Sequence, residues 1–417
     1  MNHIDGKRIA TFKTLESSAR MRELMAGYFR DLNRAALEGR PKIAWCSSVG
    51  PAELLLSLGY SVFYPENHAA MLGATREARK TIPVANAAGY SPDICSYLTS
   101  DIGAFLRKET PLSRVSPEIF TVPRPDVLVY NNVQCRDVQE WFSWYGREFA
   151  VPVLGVATPR NVAELTAELL AGIAGQIRAL VPPLEKIVGR RFDIDRLRAV
   201  MSLSREGSGL WKKVLEANRG RPAPLSFFDA AVHMGPAVVL RGTEEALAYY
   251  RVLLREVEGR VARGEGAVEG ERFRLYWEGM PIWGKLRDLA EFFIGLRTNI
   301  VASTYCNSWI FESGDDADPF LGLARSSAGL FIARDEDAKE RYLRDMAEKY
   351  DVHGFIFHDA KTCPHNSNSR YGLPGRLEKA TGIPTLIIHG DVNDLRCYSE
   401  DQTRTAVEAF VERLEEG

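Results

Sequence analysis

Apolar residues follow two periods along the chain, one typical of buried parallel strands and one typical of amphipathic helices. Short, mostly apolar runs predict strands at 42–46, 61–64, 126–130, 151–157, from residue 272, 299–305, 354–358 and 384–389. Apolar residues three or four positions apart predict helices at 14–38, 69–85, 162–180, 193–218, 243–259, 282–296 and 402–414. Glycine and proline separate these segments, as at Gly59, which ends a helix ahead of the second strand.

Strands and helices alternate in both terminal parts of the chain, whereas the middle is helical throughout. Such alternation favours parallel sheets, because consecutive parallel strands need a crossover helix. The pattern predicts an α/β fold with two Rossmann-like (flavodoxin-like) parallel-sheet domains joined by a helical region. We expect an N-terminal helical segment at 1–38, a first α/β domain at 39–158, a helical region at 159–270 and a second α/β domain at 271–417.

Composition and charge exclude several functional classes. The 417 residues carry a formal net charge of -2, which gives no electrostatic case for binding nucleic acid or an anionic membrane surface. The N-terminus lacks the apolar core of a signal peptide, and no stretch approaches the roughly 18 apolar residues of a membrane span. We therefore expect a soluble, cytoplasmic protein. No GxGxxG follows a strand and no GxxxxGK[ST] occurs, so neither motif supports nucleotide binding by this chain.

Three of the six cysteines each follow the predicted end of a strand or the start of a loop. They are Cys95 in YSPDICSY, Cys135 in NNVQCRDVQEW and Cys363 in HDAKTCPHNS. Three converging thiolates would suit an iron-sulfur centre with one coordination position left open. Cys95 is expected in the first turn of a helix, where the helix dipole favours the thiolate. The alternative is that all three are small buried apolar side chains. Spacing alone favours that alternative, because no zinc-type or ferredoxin-type spacing occurs.

Several motifs together resemble those of the 2-hydroxyacyl-CoA dehydratase family, which also contains subunits of ATP-dependent benzoyl-CoA reductases. They are GRPKIAWCSSVGPAEL, SVFYPENHAA, AAGYSPDICSYLTSDIG, NNVQCRDVQEWF, RFRLYWEGMPIW, HDAKTC and IPTLIIHGDVNDLR. The chain looks most like the alpha-type subunit of the (R)-2-hydroxyacyl-CoA dehydratases. The joint occurrence of these motifs from about Gly39 to the C-terminus is far more specific than any single one, and it reverses the preference for buried cysteines.

The resemblance implies a [4Fe-4S] cluster held by Cys95, Cys135 and Cys363, with one iron open to a non-protein ligand. It also implies a heterodimer with a homologous beta-type subunit, and a separate iron-sulfur activator protein that hydrolyses ATP and injects an electron. The implied reaction is the elimination of water from an (R)-2-hydroxyacyl-CoA through a ketyl radical, which gives a 2-enoyl-CoA. The loop NNVQC is one residue longer than the family's usual loop, so the register of Cys135 is the weakest of the three.

Two further residues match functional positions of the family. The hydroxyl of Ser48 is expected to bond the substrate or the iron-bound ligand, and Glu66 in YPEN is expected to handle the departing hydroxyl or the β-proton. From the residues alone, Ser48 could instead cap a helix ahead of Pro51, and Glu66 could be a solvated loop carboxylate. His68 departs from the family pattern and could support the site or simply be exposed.

Other polar residues and the function itself keep alternatives open. His358 and His365 flank Cys363 and could bond the cluster or be structural. Cys46, Cys306 and Cys397 fall on no ligand position that the resemblance implies. The alternatives to a dehydratase subunit are a benzoyl-CoA reductase subunit and a double-cubane iron-sulfur reductase of the same family. The four tryptophans that lie near these motifs could line a pocket or belong to the core: Trp141, Trp144, Trp283 and Trp309.

Overall fold

The computed structural model of the protein describes residues 15–314 and 317–416. The first part of the chain forms a four-stranded parallel sheet with strand order β2-β1-β3-β4. Its strands are β1 (Ile43–Cys46), β2 (Ser61–Phe63), β3 (Val127–Asn131) and β4 (Val153–Val156). The helices of this part are α1 (Ser17–Glu38), α2 (Ala52–Leu58), α3 (Pro65–Ala74), α4 (Ala78–Ala87), α5 (Ser96–Arg107) and α6 (Arg136–Phe149).

Two predicted helices of this part differ from those in the structure. The helix predicted at 14–38 begins at Ser17, and residue 14 lies outside the described residues. The single helix predicted at 69–85 is wrong, since α3 and α4 are separated by a turn in which Arg76 has a φ of 61°. The Arg76 side chain holds this turn by donating to the carbonyl oxygen of Gly284 at 2.9 Å and by pairing with Asp288 at 3.0 Å.

The middle of the chain is helical, as predicted, with more and shorter helices than the pattern indicates. They are α7 (Ala167–Ala179), α8 (Val181–Val188), α9 (Ile194–Glu216), α10 (Phe227–His233), α11 (Gly235–Val239) and α12 (Glu244–Ala262). The first does not start at Val162, because the backbone N–H of Val162 donates to the carbonyl oxygen of Ala333 at 2.9 Å in an isolated parallel bridge.

The last part of the chain forms a second four-stranded parallel sheet, with order β6-β5-β7-β8. Its strands are β5 (Phe273–Glu278), β6 (Thr298–Ser303), β7 (Gly354–Ala360) and β8 (Thr385–Gly390). Its helices are α13 (Leu286–Gly295), α14 (Thr304–Asn307), α15 (Pro319–Ala328), α16 (Glu336–Tyr350), α17 (Leu373–Thr381) and α18 (Glu400–Glu416). The pattern had not indicated α14 to α17.

The two sheets share one strand order, because β5 takes the place of β1 and β7 the place of β3. The predicted α/β class with two Rossmann-like sheets is confirmed. In each sheet the direction of strand addition reverses between the first and third strands, and such a switch point opens a crevice at the carboxyl ends of the strands. Within the described residues, no helix is both long enough and apolar enough to cross a bilayer.

Candidate active site

A cavity of about 580 Å³ lies where residues of both sheets and of the helical region meet, a volume in the usual range for small-molecule sites. The five site residues predicted from the sequence all line it: Ser48, Glu66, Cys95, Cys135 and Cys363. The fold thus brings together side chains that are far apart in the sequence, since Ser48 and Cys363 are separated by 315 positions. Three of the four tryptophans, Trp141, Trp283 and Trp309, also line the cavity.

The three cysteines reach the cavity from the ends of regular elements. Cys95 is the N-cap residue of α5 and Cys135 is the N-cap residue of α6, while Cys363 follows the end of β7. All three are partly buried and form no disulfide. The extra residue in the NNVQC loop therefore does not keep Cys135 away from the other two.

Hydrogen bonds between their neighbours join the three cysteine segments. The backbone N–H of Cys95 donates to Oδ2 of Asp137, in the first turn of α6, at 2.9 Å. The backbone N–H of Ser96 donates to Oγ1 of Thr362, the residue before Cys363, at 3.0 Å. Asp391 in turn accepts from both the backbone N–H and the hydroxyl of Thr362 at 2.7 Å. The positions of the cysteines are therefore set by a network that crosses between the two sheets.

The thiols have raised pKa values, which corrects the expectation that a helix N-terminus would favour the thiolate of Cys95. Burial raises the pKa of Cys95 well above its ordinary value, and the neighbouring Cys135 and Cys363 add to the increase. A backbone hydrogen bond from Leu98 in α5 has the opposite, smaller effect. Burial likewise raises the pKa values of Cys135 and Cys363 to about 12. The thiols of the free protein are therefore protonated near neutral pH and would lose their protons on binding a metal.

This donor set fits an iron-sulfur group. Soft sulfur ligands on one cavity, close enough to raise one another's pKa, are the ligands that such clusters use. No group of three or more His, Cys, Asp or Glu side chains in the described part of the chain is drawn together as a site for a single metal ion. A cluster makes a different geometric demand, because each cysteine binds a different iron atom.

Ser48 and Glu66 form one unit beside the cysteines. Glu66 lies in the first turn of α3, is 7% exposed, and accepts hydrogen bonds from the backbone N–H of Ser48 and from Nε2 of Gln134, the latter at 2.7 Å. Burial raises the pKa of Glu66, while these donors oppose the increase. Glu66 is thus no solvated loop carboxylate, and the N-cap position of α2 is held by Pro51 instead of Ser48.

Arg241, from the segment after α11, fixes the turn that carries Ser48. Its guanidinium donates to the carbonyl oxygens of Ser48 at 2.9 Å and Gly50 at 2.7 Å, and it pairs with Glu53 at 3.2 Å. Glu53 also accepts from the hydroxyl of Ser204 at 2.8 Å. Arg241 is 4% exposed, so the charge is buried with its partner.

Of the three histidines considered from the sequence, one lines the cavity and two do not. His68 is buried between Asp101 and Thr110 and does not line the cavity. His358 is also buried and donates to the carbonyl oxygen of Met280 at 2.6 Å, outside the cavity lining. His365 does line the cavity, and Nη1 of Arg160 lies 2.8 Å from its Nδ1. The residues that line the cavity within the described ranges do not include Cys46, Cys306 or Cys397.

The sequence pattern had not singled out Gln134, Asp137, Thr362 or Arg241. Gln134 had a signal, because it lies in the lengthened NNVQC loop and adjoins a candidate ligand. Arg241 had none, since it contacts a turn that is more than 190 positions away in the sequence. Contacts of this kind depend on how the helical region packs against the first sheet.

Comparisons with known proteins place the chain among acyl-CoA enzymes. The model of the family described as 2-hydroxyglutaryl-CoA dehydratase, D-component, matches residues 47–414. The chain is 29% identical to the (R)-2-hydroxyisocaproyl-CoA dehydratase alpha subunit of Clostridioides difficile over 408 residues, 96% of this chain and 97% of the relative. It is 30% identical to the (R)-phenyllactyl-CoA dehydratase alpha subunit of Clostridium sporogenes, over 90% of each chain. One of the subunits of the benzoyl-CoA reductase of Thauera aromatica is 26% identical, over 96% of this chain and 95% of the relative.

Proposed function

The chain belongs to the 2-hydroxyglutaryl-CoA dehydratase D-component family, and we propose that it is the alpha-type subunit of an ATP-activated (R)-2-hydroxyacyl-CoA dehydratase. Three relatives that are alpha subunits of such dehydratases align over nearly its whole length, which supports this activity and a partner subunit of beta type. The observation that carries the proposal is the meeting of Cys95, Cys135 and Cys363 with Ser48 and Glu66 on one cavity.

In this proposal the three cysteines hold a [4Fe-4S] cluster, and an ATP-hydrolysing activator protein delivers the electron. The cluster, when bound, would supply one low-potential electron to the thioester carbonyl, which makes a ketyl radical, and would accept an electron back after water has left. The cavity would limit the access of bulk water to this chemistry, because Ser48 and Glu66 are buried and the three cysteines are partly buried.

Ser48 and Glu66 would act directly on the substrate. Two donors hold the Glu66 carboxylate in place, and burial raises its pKa, which strengthens it as an acceptor for a proton from the substrate carbon. The backbone N–H of Ser48 orients that carboxylate, and the Ser48 hydroxyl would hydrogen-bond an oxygen of the substrate. Gln134 and Arg241 are positioning residues for this pair, since one holds Glu66 and the other holds the Ser48 turn.

Anaerobic iron analysis of cysteine variants tests the ligand assignment. We expect about four irons per chain, and loss of most of them in Cys95→Ser, Cys135→Ser and Cys363→Ser. The matched controls are serine variants of the cysteines outside the cavity lining, Cys46, Cys306 and Cys397, which should keep their iron. About eight irons per chain would favour the double-cubane alternative, and a protein without iron would refute both.

A turnover assay distinguishes the dehydratase activity from the benzoyl-CoA reductase activity. The chain, its partner subunit and the activator would be incubated under anaerobic conditions with a 2-hydroxyacyl-CoA and, separately, with benzoyl-CoA, because the benzoyl-CoA reductase relative makes that second activity a candidate. We expect formation of a 2-enoyl-CoA with electrons needed only to start the reaction. Consumption of electrons in proportion to product would contradict the dehydratase and support the reductase.

A further inference from the structure

The cavity has a second buried carboxyl that the proposed chemistry does not yet use. Among the described residues that line it, Glu66 and Glu278 are the two acidic ones. Glu278 is the last residue of β5 and is 1% exposed. Because β5 has the place in the second sheet that β1 has in the first, Glu278 lies at the switch point of its sheet, as Ser48 does in the other.

The local backbone is built to hold Glu278 at this point. The next residue, Gly279, has a φ of 99°, and a Cβ there would lie 2.8 Å from the carbonyl oxygen of His358. Glycine is therefore required for the turn that directly follows the carboxylate. The turn also places the carbonyl oxygen of Met280 where it accepts from Nδ1 of His358 at 2.6 Å.

The two oxygens of Glu278 are in different situations. Oε1 accepts from Nδ2 of Asn368 at 2.8 Å, and Asn368 in turn accepts from Nζ of Lys339 at 2.9 Å. Oε2 is buried and makes no hydrogen bond of good geometry to any described residue. An unsatisfied buried carboxylate oxygen is costly, whereas a protonated carboxyl can offer its hydrogen to a ligand.

The electrostatic surroundings favour the protonated form. Burial raises the pKa of Glu278 to about 8, and the nearby Glu336 carboxylate adds to the increase. Asn368, Lys339 and the backbone N–H of Gly279 oppose it without outweighing burial, and Tyr276 also interacts electrostatically with Glu278. Glu66 differs, because two donors satisfy both of its oxygens and support its charged form. Two carboxyls with such different surroundings are typical of a paired acid and base.

We infer that Glu278 is a catalytic residue of this cavity, the acid that protonates the oxygen leaving the substrate, while Glu66 is the base. The inference rests on the proposed function. The C–O bond breaks with both electrons on oxygen, and the Glu278 proton turns that hydroxide into water. The neighbouring C–H bond breaks with its proton passing to Glu66, and its electrons enter the new double bond. One proton moves from Glu278 to Glu66, solvent returns it after product release, and no net electron is gained or lost.

The test compares Glu278→Gln with Glu291→Gln in the complete enzyme with partner subunit and activator. Glutamine keeps the shape of the side chain but has no acidic proton to give to the leaving oxygen, so we expect kcat to fall about 10²- to 10⁴-fold. Glu291 is an exposed residue of α13 that pairs with Arg287, so its variant should keep wild-type activity. Wild-type kcat/KM should decline above about pH 8 as the acid loses its proton, and residual activity of Glu278→Gln should lack this decline.

A third variant checks the assignment without removing the carboxyl. Asn368→Ala takes away a hydrogen bond that favours the charged form of Glu278, so the alkaline decline should move to higher pH. In infrared difference spectra, the carbonyl band of a protonated carboxylic acid should disappear from wild type on raising the pH through 8 and be missing in Glu278→Gln. Iron content should equal that of wild type in all three variants, which separates a catalytic loss from a loss of the metal centre.

The outcomes distinguish this inference from the proposed function. If wild-type enzyme does not dehydrate any 2-hydroxyacyl-CoA, the proposed function fails. If wild type is active and Glu278→Gln retains full activity, or retains the alkaline decline, Glu278 is not the acid. A loss of activity in Glu278→Gln with normal iron content, a missing carboxyl band and a flat alkaline profile is the result that supports it.

Discussion

Replacement of Arg241 by methionine is expected to destabilise the protein severely. The guanidinium is buried and satisfies the carbonyl oxygens of Ser48 and Gly50 as well as the carboxylate of Glu53. Without it, Glu53 would keep the hydroxyl of Ser204 as a donor but would lose the opposite charge that it is buried with. Removing one partner of a buried ion pair typically costs about 3–5 kcal/mol, so we expect the free energy of unfolding to fall by about that amount.

A double-mutant cycle with Glu53→Gln isolates the ion pair from the packing of the arginine. Urea unfolding followed by circular dichroism gives the free energy of each variant, and the double variant should lose about 1–3 kcal/mol less than the sum of the single losses. The control is Arg251→Met, because Arg251 pairs with Glu206 at 2.7 Å with both side chains about half exposed. An exposed pair contributes about 0–1 kcal/mol, so that change should be small.

Two results would refute this reasoning. A loss for Arg241→Met as small as that for Arg251→Met would mean that the buried arginine contributes no more than a surface one. Strictly additive losses in the cycle would mean that Arg241 and Glu53 do not interact, whatever their distance. Arg241→Lys is expected to lie between wild type and Arg241→Met, because one ammonium cannot reproduce a planar set of donors to several acceptors.

Gln134→Leu should lower kcat/KM about 2- to 10-fold, since Glu66 loses a donor that favours its charged form. The fall of kcat/KM at acid pH should begin at higher pH than in wild type. Unchanged kinetics would show that Gln134 does not position Glu66. Burial lowers the pKa of His233 from 6.5 to about 4, so the unfolded chain takes up a proton there before the folded protein does. The free energy of unfolding should therefore fall by up to about 3 kcal/mol as the pH drops from 6.5 towards 4. His233→Gln should abolish this contribution in acid-denaturation curves. Gly103→Ala should cost about 1–3 kcal/mol in urea unfolding, because its Cβ would clash with the carbonyl oxygen of Thr81, while Gly172→Ala, with open space around it, should not destabilise.

Strands could be predicted from the sequence because each is a short, mostly apolar run in a parallel sheet, and the inner strands β1, β3, β5 and β7 are largely buried. β1, for example, differs from the predicted 42–46 by one residue. The break between α3 and α4 could not be predicted, since Arg76 is held there by Gly284 and Asp288 from the second half of the chain. Helix α16 was missed although Leu343 and Met346 are buried in it, because most of its residues are charged and its apolar stripe is narrow.

For the site as well, the residues that motifs identify could be predicted, whereas properties that depend on the folded chain could not. Ser48, Glu66 and the three cysteines carry motifs, and the fold indeed brings them to one cavity. Their ionisation could not be predicted, because a local feature such as the N-terminus of α5 is outweighed by burial, which only the folded chain defines. Glu278 also occurs in a quoted motif, yet its significance depends on a neighbour, Asn368, that lies 90 positions further along.

The distribution of the cysteines over both sheets constrains when the proposed metal centre can form. The ribosome completes the first sheet, with Cys95 and Cys135, long before it reaches Cys363, and N-terminal units generally fold first during synthesis. A nascent chain thus offers two of the three thiols for most of its translation. The hydrogen bond from Ser96 to Thr362 joins the segments of the first and last cysteine, so the third ligand arrives together with the docking of the second sheet. Insertion of a cluster would therefore have to wait until Cys363 has been made and its segment has docked against that of Cys95.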